Sequence, residues 1–163
     1  MISSNIRILQ INLNRSQIAT ESTLQLAIEA KVDLVLVQEP WLSRNQEPRL
    51  SRNQELSYSL VQSTQHPSFT QLFPRNRDIR PRTLAYISKT SQFQTSLATS
   101  SPNDPDIQVL DVVQGAKRIQ VLNVYNEADQ LSQGPRTIDR SLIPLPLASE
   151  AIIVGDFNSY YLL

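Results

Sequence analysis

Cysteine is absent from this 163-residue sequence, which excludes disulfides and thiolate metal sites. The absence fits a reducing, intracellular compartment. Glycine is scarce, at three residues, and neither GxGxxG nor GxxxxGKS/T occurs, so no phosphate-cradling glycine loop is expected. Histidine occurs once, as His66, in the Ser/Thr/Gln-containing stretch STQHPSF. Neither sign of charge is in excess: the formal net charge is +0, so no global field directs the chain to nucleic acid or to a membrane. Long apolar runs are missing too; none approaches the roughly 20 residues of a membrane span. The N-terminus has no basic region followed by an apolar run, so no signal peptide is read there. What remains is a chain with 40% hydrophobic and 18% charged residues, about one domain long and able to bury a sizeable core.

The pattern along the chain alternates strands with one clear helix. Ile6 to Ile11 is rich in β-branched residues and predicts a strand. From Gln17 to Lys31 the period becomes helical, with Leu24, Ala27, Ile28 and Val32 on one face and Ser16 as N-cap. Asp33 to Gln38 (DLVLVQ) reads as a buried strand covered on both sides. Strand, helix and strand form a βαβ unit, which predicts parallel neighbours. Further strands are expected at Ser57–Gln62, Thr83–Ser88, Phe93–Ala98, Ile107–Val113, Arg118–Tyr125 and Ala151–Gly155, with a hairpin turn near Gly115. Strands that follow one another without helices between them point to antiparallel pairing. A short helix is expected over Arg136 to Leu142, ended by Pro144 and Pro146.

One segment breaks the pattern. LSRNQEPR at 42–49 is followed at once by LSRNQELS at 50–57, a tandem duplication read as an exposed, irregular surface loop from which one eight-residue copy can be deleted without changing the fold. Between Ser43 and Arg82 there are seven Arg and no Lys against Glu47, Glu55 and Asp78. Arginine suits bidentate phosphate contact, so Arg44 and Arg52 are candidate nucleic-acid contacts; the alternative is a solvated polar loop.

Polar groups gather at strand ends. Asn12 and Asn14 follow the first strand, Gln38 and Glu39 end the second, Asn123, Tyr125 and Asn126 end another, and Asp156 and Asn158 end the last. Taken singly, each is most simply a turn or loop residue. Together they form an oxygen-rich set without sulfur or imidazole, of the kind preferred by hard cations such as Mg²⁺ or Mn²⁺.

The stretches ILQINLNRS, VDLVLVQEPW, RTLAYISK, IQVLNVYN and IIVGDFN, in this order, carry a resemblance. The chain resembles the endonuclease/exonuclease/phosphatase superfamily, and within it the apurinic-like endonuclease domain of non-LTR (LINE-type) retrotransposons, the fungal ones in particular. The resemblance implies an α/β fold: a layered α/β/β/α sandwich of two packed mixed sheets. It implies a metal-dependent endonuclease that nicks DNA for target-primed reverse transcription, with nuclear location following from the element's life cycle. Residue by residue, Glu39 matches the metal-binding glutamate and Asn12 the asparagine beside it, while Asn14 stands where some relatives have Asp. Tyr125 matches a tyrosine that contacts the scissile phosphate, Asp156 the aspartate that orients or deprotonates water, and Asn158 an asparagine that helps hold the phosphate.

The resemblance also implies a Ser-Asp-His segment beyond GDFN, which these 163 residues do not contain, so a domain incomplete at its C-terminal side is expected. The alternative is an inactive remnant, at most a weak nucleic-acid or metal binder. A phosphatase or an RNA-directed nuclease of the same superfamily ranks third.

Overall fold

The computed structural model describes residues 5–44, 61–76, 79–126 and 136–158. Among these, two four-stranded mixed sheets pack face to face. The first sheet is built from β1 (Ile8–Asn12), β2 (Leu34–Gln38), β5 (Phe69–Leu72) and β6 (Thr83–Ser88), in the order β1-β2-β6-β5. The second contains β7 (Gln94–Leu97), β8 (Ile107–Gln114), β9 (Lys117–Tyr125) and β10 (Ala151–Asp156), in the order β10-β9-β8-β7. A two-stranded ribbon pairs β3 (Ser43–Arg44) with β4 (Val61–Gln62).

The βαβ expectation holds: β1 and β2 are parallel, and the helix between them, α1 (Gln17–Glu29), covers the first sheet. Ser16 caps α1 in extended geometry, its Oγ accepting from Ala19 N at 3.2 Å. One face residue differs from the expectation. Ile28 is exposed, and the inward stripe is Thr20, Thr23, Leu24 and Ala27. Those four follow the i, i+3, i+4, i+7 spacing, and Ile28 falls on its flank.

β2 is buried along its whole length. Its alternation serves two cores: Val35 and Val37 pack under α1, while Leu34 and Leu36 face the second sheet with Ala85, Leu110, Val112 and Val121. That is why DLVLVQ reads as a continuous apolar run. A third cluster covers the outer face of the second sheet, where Leu142, Leu145 and Phe157 lie on Ile107, Val109, Leu122 and Val124. β8 and β9 form the expected hairpin, closed by Gly115 at φ +58° and Ala116 between paired Gln114 and Lys117.

The segment expected as a short helix over Arg136–Leu142 is a five-residue π-helical turn, Ile138–Leu142. β5 was not read from the sequence, because FTQL is short and lacks clean alternation. Of the duplicated segment, buried Leu42, Ser43 and the backbone of Arg44 are described; the rest, with Arg52, lies outside the described residues. Of the strand expected at Ser57–Gln62, the described part is β4. No helix among the described residues is long and apolar enough to cross a membrane.

Candidate active site

Strand parity builds the site. On β1, Ile8 faces the layer between the sheets, so Gln10 and Asn12 do as well. On β10, Val154 faces that layer, and Asp156 follows it at the strand's end. The parallel registers align these ends: Asn12 pairs with Gln38, and Asp156 with Tyr125. The two sheets therefore bring Asn12 and Asp156 together from opposite sides, and Asn12 Nδ2 donates to Asp156 Oδ2 at 2.8 Å. The same Nδ2 lies 3.4 Å from Glu39 Oε2, a longer and weaker contact.

Glu39 stands one residue past β2 in left-handed geometry, φ +46°. Its N–H donates to the Arg82 carbonyl at 2.8 Å and its carbonyl accepts from Arg15 N at 2.8 Å. Those bonds hold a conformation that a non-glycine residue seldom adopts. Asn14 and Arg15 are left-handed too, at φ +45° and +58°, and Arg15 Nη2 pairs with Glu39 Oε1 at 3.2 Å.

The GDFN loop is tied down by amides. Asn126 N donates to Asp156 O at 2.8 Å and Asn126 Nδ2 to Phe157 O at 2.7 Å. Asn158 returns the bond, Nδ2 to Asn126 O at 2.7 Å, while its N–H donates to Asp156 Oδ1 at 3.2 Å. Gly155 is required by space. A Cβ on it would lie 1.9 Å from Val124 O, so only glycine lets β10 approach β9 this closely.

Tyr125 completes the set. Burial raises its phenol pKa above the usual tyrosine value; the charges of Glu39 and Asp156 raise it further, against Arg82. The Arg82 guanidinium sits 4.9 Å from the Tyr125 ring centroid. Arg82 is held in turn by a bidentate pair with buried Asp106, Nε–Oδ1 at 2.6 Å and Nη2–Oδ2 at 2.5 Å. Arg140, from the π-helical turn, also binds Asp106, and binds Asp104 at 2.8 Å. Burial would raise Asp104, but bonds from Arg140, Ser141 and the Asp106 N–H outweigh it and hold the carboxyl below its usual value.

Of the candidates read from the sequence, Asn12, Glu39, Tyr125, Asp156 and Asn158 thus meet at one end of the sheets. Arg44 lies in β3 of the two-stranded ribbon rather than in either four-stranded sheet. His66 sits ahead of β5, its Nδ1 accepting from Ser68 N at 3.2 Å. Sequence reasoning passed over Arg15, Arg82, Asp106 and Arg140. Arg15 and Arg82 lie inside NLNRS and RTLAYISK, but their partners come from distant parts of the chain.

For a hard divalent cation, the donor chemistry fits: two carboxylates and amide oxygens, all oxygen, with Glu39 largely covered at 15% side-chain exposure. Mg²⁺ needs only one or two protein carboxylates, which is consistent with finding no group of three or more His, Cys, Asp or Glu among the described residues.

Two packed mixed sheets with α1 over the first make an α/β fold. Among solved structures the chain is similar to the endonuclease domain of TRAS1, a telomere-specific non-LTR retrotransposon, with a TM-score of 0.62 at 18% identity. The match covers 96% of this chain, which spans 61% of the length of that one. The fold is that of a retrotransposon endonuclease-like domain. No protein-family model matches the sequence, and no curated protein matches it.

Proposed function

We propose that this chain is a metal-dependent phosphodiester hydrolase domain of non-LTR retrotransposon descent that nicks DNA. The observation that carries this reading is the convergence of Asn12, Glu39 and Asp156 from two sheets within hydrogen-bond range. Glu39 and Asn12 are the residues that would hold Mg²⁺ or Mn²⁺. When bound, the ion neutralises charge on the phosphoryl oxygens. Asp156, fixed by Asn12 Nδ2 and by the Asn158 N–H, accepts a proton from the attacking water. Tyr125 stays protonated, because its pKa is raised, and donates to a phosphate oxygen. Asn158 and Asn126 keep the loop that carries Asp156 in place.

A second reading, an inactive remnant that binds metal or nucleic acid weakly, has one observation in its favour. The chain's single histidine, His66, is engaged with its own loop rather than with this site. Nicking of supercoiled plasmid in Mg²⁺ is expected, reduced to background by Asp156→Ala and by Glu39→Ala. Equal nicking by all three proteins, or none by any, leaves the remnant reading.

A further inference from the structure

Arg15 is a charged group beside Glu39 that the proposed hydrolysis does not use. The β1–α1 turn is built to present it. Two consecutive non-glycine residues, Asn14 and Arg15, take left-handed backbone geometry. The turn is fastened to both residues of the candidate cation site: Asn14 N donates to Asn12 Oδ1 at 2.8 Å, and Arg15 N to Glu39 O at 2.8 Å. The guanidinium then lies on Glu39, Nη2 to Oε1 at 3.2 Å. The partners are unequal. The Glu39 side chain is 15% exposed and held by its surroundings, whereas the Arg15 side chain is 55% exposed and has solvent to swing into.

We infer that Arg15 is a placeholder cation: it neutralises Glu39 until a divalent ion binds, and is then transferred to a phosphate of the nucleic acid. This rests on the reading of Glu39 as the metal-holding carboxylate. A divalent ion on Glu39 sets like charge against the guanidinium at close range. The side chain leaves, but the backbone bond from Arg15 N to Glu39 O keeps it at the rim. Its planar fork of donors fits phosphate oxygens, the anion that the same ion attracts.

The proposal predicts opposite effects in two binding measurements on the full chain and Arg15→Gln. In calorimetric titration with MnCl₂ alone, Arg15→Gln binds the ion several-fold more tightly, because its competitor is gone. In fluorescence anisotropy with a labelled DNA duplex at saturating MnCl₂, Arg15→Gln binds several-fold more weakly, and its slope of log affinity against log salt is shallower by about one. Arg15→Lys, which keeps the charge and loses the fork, binds Mn²⁺ like the parent and DNA with intermediate affinity; it also serves if Arg15→Gln shows a lost circular-dichroism signal. If Arg15→Gln weakens both or changes neither, while Glu39→Ala abolishes Mn²⁺ binding, the placeholder role is overturned and the metal reading stands. If Glu39→Ala binds Mn²⁺ as well as the parent, both fall.

Discussion

Gly155 shows how much one missing side chain decides. The nearest atoms to an added Cβ are backbone, Val124 O at 1.9 Å and Val124 C at 2.7 Å, so no rotamer change relieves the clash. Gly155→Ala must push β10 off β9 one residue before Asp156. Overpacking of this kind destabilises by about 1–3 kcal/mol, and the urea midpoint is expected to fall accordingly. An unchanged midpoint with Asp156 still functional would show that the two strands have slack here. Tyr125 gives the residue-scale pH dependence. Its folded pKa is raised, by burial first and then by Glu39 and Asp156. The stability contributed by its neutral phenol is therefore fully present below the ordinary tyrosine value of about 10 and is lost as pH rises through the higher folded value. Absorbance at 295 nm should show a component titrating above that value which Tyr125→Phe removes. A Tyr125 component at or below the ordinary value would mean that the carboxylates do not face the phenol.

At the scale of elements, the start of β6, the start of β8 and the π-helical turn are joined through charge. Arg82 and Arg140 converge on Asp106, whose side chain is fully buried. Arg82→Met removes one partner from a buried carboxylate, a change that typically costs about 3–5 kcal/mol; Arg140 remains, so the lower end is expected. It also removes the cation lowering the Tyr125 pKa, so the late phenol component should move later still. A stability loss without that movement would separate the ion pair from the site. This cluster was not legible in the sequence, and the reason is physical. Asp106 lies 24 residues from Arg82 and 34 from Arg140, and nothing in local periodicity reports such pairings. The strands were legible, because burial on one or two faces imposes its own alternation: β6 was read at its observed bounds, and β2, β8, β9 and β10 within one residue. The site residues were legible as polar endings of apolar runs. The placement of Arg15 was not, since it depends on two left-handed residues that no glycine announces.

At the scale of the whole molecule, the two sheets are joined by apolar packing along most of their shared layer and by amides near the site. Gln10 donates to Gln38 Oε1, Gln38 to Asn123 Oδ1, and Asn123 Nδ2 approaches Gln108 Oε1 and the carbonyls of Val37 and Leu84. Gln108 continues the chain to Leu72 O at 2.7 Å. Gln38, Asn123 and Gln108 are all fully buried, so each bond in the row replaces one to water that the sandwich excludes. The row fixes how the sheets sit against each other one or two residues behind Asn12, Glu39 and Tyr125. Asn123→Ala leaves the buried amides of Gln38 and Gln108 short of partners, and each orphaned group costs about 1–3 kcal/mol. Asn123→Leu fills the space but leaves the same groups unpaired, so it should not rescue stability. Both variants should lower the urea midpoint, and at denaturant-free conditions where they remain folded both should weaken Mn²⁺ binding, because the carboxylates from the two sheets are no longer held in one arrangement. If Asn123→Leu is as stable as the parent and binds Mn²⁺ equally well, the amide row is dispensable, and the apolar layer alone sets the distance between β1 and β10.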